Sequence, residues 1–187
     1  MSNTSRNAAS LQVRRITFAG MFLALALVLP FITAQIPEIG RKLSPMHIPV
    51  LLCGFLCGWP WGLAVGFVAP LLRSVLFGMP AMVPGAVAMA FELAVYGCVS
   101  GLLYKLLPRK NWATYAVLLI AMIAGRVVWG IARLVLAGLA GNSFTWGMFI
   151  AGAVTDAIPG IILQLVLIPI LVIALERAGL SLNKKAA

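Results

Sequence analysis

Long apolar runs separated by short polar breaks occupy the chain from Ile16 to Leu175. A bilayer-spanning helix needs about 20 apolar residues, within roughly 17–25, and the runs divide on that scale. The first, Ile16 to Ala34, follows Arg14 and Arg15 and ends at Pro37, Glu38, Gly40, Arg41 and Lys42. The second, His47 to Met79, is too long for one helix and is interrupted by Gly58-Trp59-Pro60-Trp61-Gly62. Glycine and proline punctuate chains, so this run predicts two short helices, 47–58 and 61–78. The shorter one crosses only if it tilts or sits inside protein. After a loop with Pro80 and Pro84 come spans from Gly85 to Leu106 and from Trp112 to Leu139, parted by Pro108, Arg109, Lys110 and Asn111. Gly141-Asn142-Ser143 turns the chain into a last run, Thr145 to Leu175, which is long for one crossing. Pro159-Gly160 and Pro169 are its kink sites, since membrane helices tolerate proline.

The pattern predicts an all-α integral membrane protein of about six transmembrane helices. A polar tail over 1–13 precedes a membrane domain over 14–177, and a basic tail over 178–187 follows. The first span reads as a retained helix, because no short apolar region is followed by a small-residue cleavage site. With six crossings both termini share a side. That side holds Arg6, Arg14, Arg15, Lys105, Arg109, Lys110, Arg177, Lys184 and Lys185; the other holds Arg41 and Lys42, partly offset by Glu38. Lysine and arginine accumulate in cytoplasmic loops, so both termini are expected in the cytoplasm, with the chain as a multi-pass protein of a bacterial inner membrane.

Composition supports this reading. Of 187 residues 63% are hydrophobic and 10% charged, and the mean hydropathy is +1.07. A soluble domain carries about 25% charged residues. The net charge of +10 would suggest nucleic acid in a soluble protein; here the basic residues flank spans and set topology. Cys53, Cys57 and Cys98 lie within apolar runs, with no metal or disulfide spacing, and read as packing residues. Small residues recur four apart at Gly20/Ala24, Gly54/Gly58, Gly62/Gly66 and Gly97/Gly101, a spacing that lets helix backbones approach.

Five charges remain inside the spans: Arg73, Glu92, Arg126, Arg133 and Asp156. Charges at this depth are costly and mark sites, pathways or paired networks. At ~1.5 Å per residue all five fall in the outer half, and Arg126 and Arg133 are two turns apart on one helix face. Three arginines against two acids leave one positive charge over, which favours a carboxylate- or phosphate-bearing ligand. His47 at the outer end of the second span, Asn142 in the last outer loop and Gln164 in mid-membrane are further candidates, and Trp129 and Trp146 are candidate stacking surfaces. No metal is expected. Catalytic motifs are missing: there is no G-x-S-x-G, no H-E-x-x-H and no P-loop. A single histidine and two buried acids supply acid–base chemistry poorly. A small membrane enzyme acting on a lipid is therefore the weaker reading, and a purely structural subunit leaves the intramembrane charges unexplained.

The segments Met46-His47-Ile48-Pro49-Val50-Leu51-Leu52-Cys53-Gly54-Phe55, Gly66-Phe67-Val68-Ala69-Pro70-Leu71-Leu72-Arg73-Ser74 and Met89-Ala90-Phe91-Glu92 resemble the substrate-binding S-components of energy-coupling factor (ECF) vitamin transporters. The likeness is clearest over residues 46–107, and the six-span layout fits the whole chain. The resemblance implies a subunit that captures a water-soluble vitamin or precursor from outside, without a cofactor. It implies partners as well: a transmembrane scaffold protein and two ABC-type ATPases that supply the ATP hydrolysis. Ala19, Gly20 and Ala24 occupy the region that meets the scaffold in such proteins. The segments look most like pantothenate-type members, with pyridoxine-type members next.

Overall fold

The computed structural model describes residues 3–32, 43–108, 110–143, 145–155 and 157–183. Among them every regular element is helical. α1 is Asn3–Ile32, α2 His47–Cys57, α3 Trp59–Phe77, α4 Val87–Leu106, α5 Asn111–Leu139, α6 Trp146–Ile150 and α7 Ile158–Arg177. The spans expected from hydropathy are therefore present within a few residues, with two differences. α1 begins at Asn3, well ahead of the apolar run; the helix continues past the apolar boundary because nothing in Ala8-Ala9-Ser10-Leu11-Gln12 breaks it. The last run is two helices, with a π-type turn over Ala151–Thr155 between them. Pro159 lies in the first turn of α7, where its missing N–H costs no helical bond.

Five of these stretches, Ala9–Phe31, Trp59–Phe77, Met82–Leu106, Asn111–Leu139 and Trp146–Arg177, are long and apolar enough to cross a membrane. α2 is too short to do so by itself. Its solution is burial: all eleven residues, His47 to Cys57, are hidden inside the protein. It passes into α3 through Gly58 alone, at φ +98°, a left-handed conformation suited to glycine.

α4 is the hub, packed against α2, α3 and α5, while α1 lies on the α2–α3 side and α7 touches α2 and α5. Glycines set the hub's spacing. A Cβ on Gly97 would collide with the Gly62 carbonyl, one on Gly54 with Gly97 and Ser100, and one on Gly101 with Trp59. In lipid, such close contact supplies the packing that a hydrophobic drive supplies in water. Gly54, Gly62, Gly66, Gly97 and Gly101 are consumed this way, while Gly58 makes the turn between α2 and α3. The exception is Gly20/Ala24, where Gly20 has nothing within 4 Å of a built Cβ and both residues are exposed. The outer faces carry large apolar side chains such as Val28, Ile123, Val135 and Val166, as a lipid-facing surface requires.

One end of the bundle is tied by polar contacts. The Tyr104 hydroxyl donates to Glu176 Oε2 at 2.8 Å. Arg15 Nη2 donates to the Leu182 carbonyl at 3.0 Å, and the Leu182 N–H donates to the Leu56 carbonyl at 2.8 Å. Asn183 Nδ2 donates to the Gly101 carbonyl at 3.0 Å. These contacts join Arg15 in the first half of α1, the end of α2, the end of α4, the last turn of α7 and the segment after it. Leu56 is in the last turn of α2, where carbonyls lack helical partners; the returning chain satisfies it. Arg15 of α1 and the segment after α7 thus meet at one end of the bundle.

Candidate ligand-binding site

The site is assembled at the other end of the hub. His47 is the first residue of α2, held by its N–H to the Ser44 carbonyl at 3.0 Å. Glu92 and Tyr96 stand one turn apart on α4, and the Tyr96 hydroxyl donates to Glu92 Oε1 at 3.1 Å. Arg126 reaches the same oxygen from α5, Nη1 at 3.0 Å. Gly125 makes this approach possible: a Cβ there would run into the Tyr96 ring, so α5 lies close enough for Arg126 to bridge. His47 Nε2 is 3.5 Å from Glu92 Oε1, and the His47 and Tyr96 ring centroids are 5.2 Å apart.

The cluster is buried, with Glu92 1% and His47 2% exposed. A carboxylate there is tolerable because a guanidinium and a hydroxyl compensate it. Its hydrogen bonding is incomplete. Nδ1 of His47 and Nε of Arg126 are buried without a hydrogen-bond partner among the described residues, and His47 Nε2 has only its 3.5 Å approach to Glu92 Oε1. On α7, Oε1 of Gln164 is likewise buried without one. Counting along each helix at ~1.5 Å per residue puts Glu92, Arg126 and Gln164 at one level, about 20 Å from the tied end.

The other predicted residues fall in different places. Arg73 is buried but apart from the acid: its Nη1 donates to the Leu27 carbonyl of α1, and its guanidinium sits 4.9 Å from the Phe31 ring centroid and 5.3 Å from that of Phe77. It clamps α1 to α3. Arg133 lies farther out on α5, partly exposed, with its guanidinium 5.7 Å from the Trp129 ring centroid. Phe149 covers Gly130 and stacks on Trp146 at 5.1 Å. Asn142 is exposed at the end of α5, its N–H on the Ala137 carbonyl. Asp156 lies outside the described residues. Ala19 faces the core at 6% exposure, so only Gly20 and Ala24 of the small-residue trio are on the outer face of α1. Among the described residues no group of histidine, cysteine or acid side chains forms a metal site. Sequence reasoning passed over Tyr96, although its i+4 spacing from Glu92 puts the two on one helix face.

A helical bundle with lipid-facing flanks and a buried, polar, incompletely bonded nest in one half defines a small-molecule-handling membrane protein. Residues 14–172 match the family model of the ECF transporter substrate-specific component, and the chain belongs to that family. It is accordingly a transport subunit rather than an enzyme, taking a small-molecule substrate as part of a membrane-embedded module. Comparison with curated proteins and with solved structures gives no match.

Proposed function

We propose that this subunit captures a water-soluble vitamin or vitamin precursor from outside the cell, pantothenate before a pyridoxine-type compound. It then passes the ligand to a transmembrane scaffold protein coupled to two ABC-type ATPases. The observation that carries the reading is the state of His47. An imidazole buried with no hydrogen bond at Nδ1, and with Nε2 only 3.5 Å from Glu92 Oε1, is costly to a fold that does not use it. A ligand entering from the outer side would complete those bonds. Three arginines against two acids within the spans support an anionic ligand. Gly20 and Ala24 support docking at α1, because the other small-residue pairs are used inside the bundle.

The test is mass spectrometry of small molecules released from the detergent-purified protein, followed by thermal unfolding with each candidate added. Pantothenate should be released and should raise the unfolding temperature. Release of a different vitamin would replace pantothenate in the reading; turnover of a lipid by the purified chain would overturn the transport reading itself.

A further inference from the structure

Histidine occurs once in the chain, at His47, and its two ring nitrogens meet different surroundings. Nε2 lies 3.5 Å from Oε1 of Glu92, while Nδ1 is buried with no hydrogen-bond partner among the described residues. An N–H on Nε2 faces the carboxylate favourably and a lone pair there does not, so Glu92 selects the tautomer that carries its proton on Nε2. Nδ1 is then an acceptor in the neutral ring and a donor in the imidazolium.

Charge at this site is balanced without the histidine. Arg126 Nη1 sits 3.0 Å from the same Glu92 oxygen, one cation to one anion, so a proton on His47 leaves the cluster one positive charge over. Among the described residues, the titratable groups that face the ring are Glu92 and Tyr96 of α4, with Arg126 of α5 on the Glu92 carboxylate. Within the same residues, the other helices packed on α2 bring the ring no charge. α1 has no titratable side chain after Arg15, Arg73 of α3 is held on the Leu27 carbonyl, and Glu176 and Arg177 of α7 are at the tied end.

We infer that the site takes up the ligand's carboxylate together with one proton from solvent. The proton goes to Nδ1 of His47 and turns it from acceptor to donor; the carboxylate accepts that N–H and supplies the counter-charge. A carboxylate only accepts, so a bare Nδ1 opposes it. With the proton in place, the atoms left over at the cluster, Nδ1 of His47 and Nε of Arg126, are both donors. This rests on the reading of the chain as a subunit that captures an anionic vitamin, and it makes His47 the residue that matches the ligand's charge.

The experiment is calorimetry of pantothenate binding to the full chain, carrying a histidine-free affinity tag, at about pH 8, where an ordinary imidazole is neutral. Repeating it in buffers of different ionisation enthalpy counts the protons taken up. About one proton should enter per pantothenate, and affinity should fall about tenfold for each further pH unit. The single histidine also gives a direct readout: with isotope-labelled histidine, NMR should show one protonated ring nitrogen before pantothenate is added and two afterwards. His47→Gln cannot titrate and should lose both the proton uptake and the pH dependence. Panthenol, the neutral alcohol analogue, brings no counter-charge and should bind without a proton or not at all. Pantothenate binding with no proton taken up, a ring doubly protonated before its addition or singly protonated after it, uptake that survives His47→Gln, or uptake with panthenol overturns the inference and leaves the capture of pantothenate standing. If His47→Gln does not fold, the NMR measurement on the parent chain decides. If pantothenate does not bind at all, the pantothenate reading fails and the inference with it.

Discussion

Arg126 reaches across from α5 to place Nη1 3.0 Å from Oε1 of Glu92 on α4, at the one level where the hub helix carries an acid. The pair does two things. It joins the two helices, and it sets a charge-paired carboxylate 3.5 Å from the ring of His47.

Breaking the pair from one side should therefore cost more than removing it. Arg126→Gln leaves a buried carboxylate with only the Tyr96 hydroxyl and the His47 ring at 3.5 Å beside it, a loss on the order of 3 kcal/mol. The double variant Arg126→Gln/Glu92→Gln should regain a large part of it. Chemical or thermal unfolding in detergent measures both. A double variant no better than the single would mean that the two side chains are not energetically coupled.

Arg73 makes a different prediction from Arg126. Its partners are the Leu27 carbonyl and the rings of Phe31 and Phe77, so it anchors α1. Arg73→Lys keeps the charge but loses the planar stacking group. It should lower the unfolding temperature and leave ligand affinity within about twofold. A tenfold affinity loss without loss of stability would instead put Arg73 in the site.

The glycines separate internal packing from external docking. Gly97→Ala drives a methyl into the Gly62 backbone, where no flexible side chain can yield, and should sharply reduce recovery of folded protein. Gly20→Leu with Ala24→Leu meets open space and should leave unfolding temperature and ligand binding intact while reducing uptake in cells that carry the partner module. Equal loss of binding in the double variant would place that face inside the protein.

The orientation is testable with single cysteines in a cysteine-free background. Asn142→Cys, exposed at the end of α5, should react with an impermeant reagent applied to intact cells, and Ser10→Cys on α1 should not. The reverse pattern would invert the protein in the membrane.

The sequence by itself determined the spans, because the cost of exposing polar backbone and charge to lipid is local and adds along the chain. It also marked Glu92, Arg126 and His47, since polar groups in such runs stand out without any knowledge of their neighbours. The lysines and arginines at span ends carried the expectation that both termini face the cytoplasm. The tertiary structure decided which of these groups meet. Whether Arg73 or Arg126 faces Glu92 depends on the rotation of each helix about its axis and on how closely glycines such as Gly97 and Gly125 let the backbones approach, and hydropathy carries neither quantity. The same limit left α2 between two outcomes, tilted or enclosed in protein. An eleven-residue helix is short for the bilayer, and its enclosure by α1, α3, α4 and α7 supplies the contacts that let it stand within the bundle.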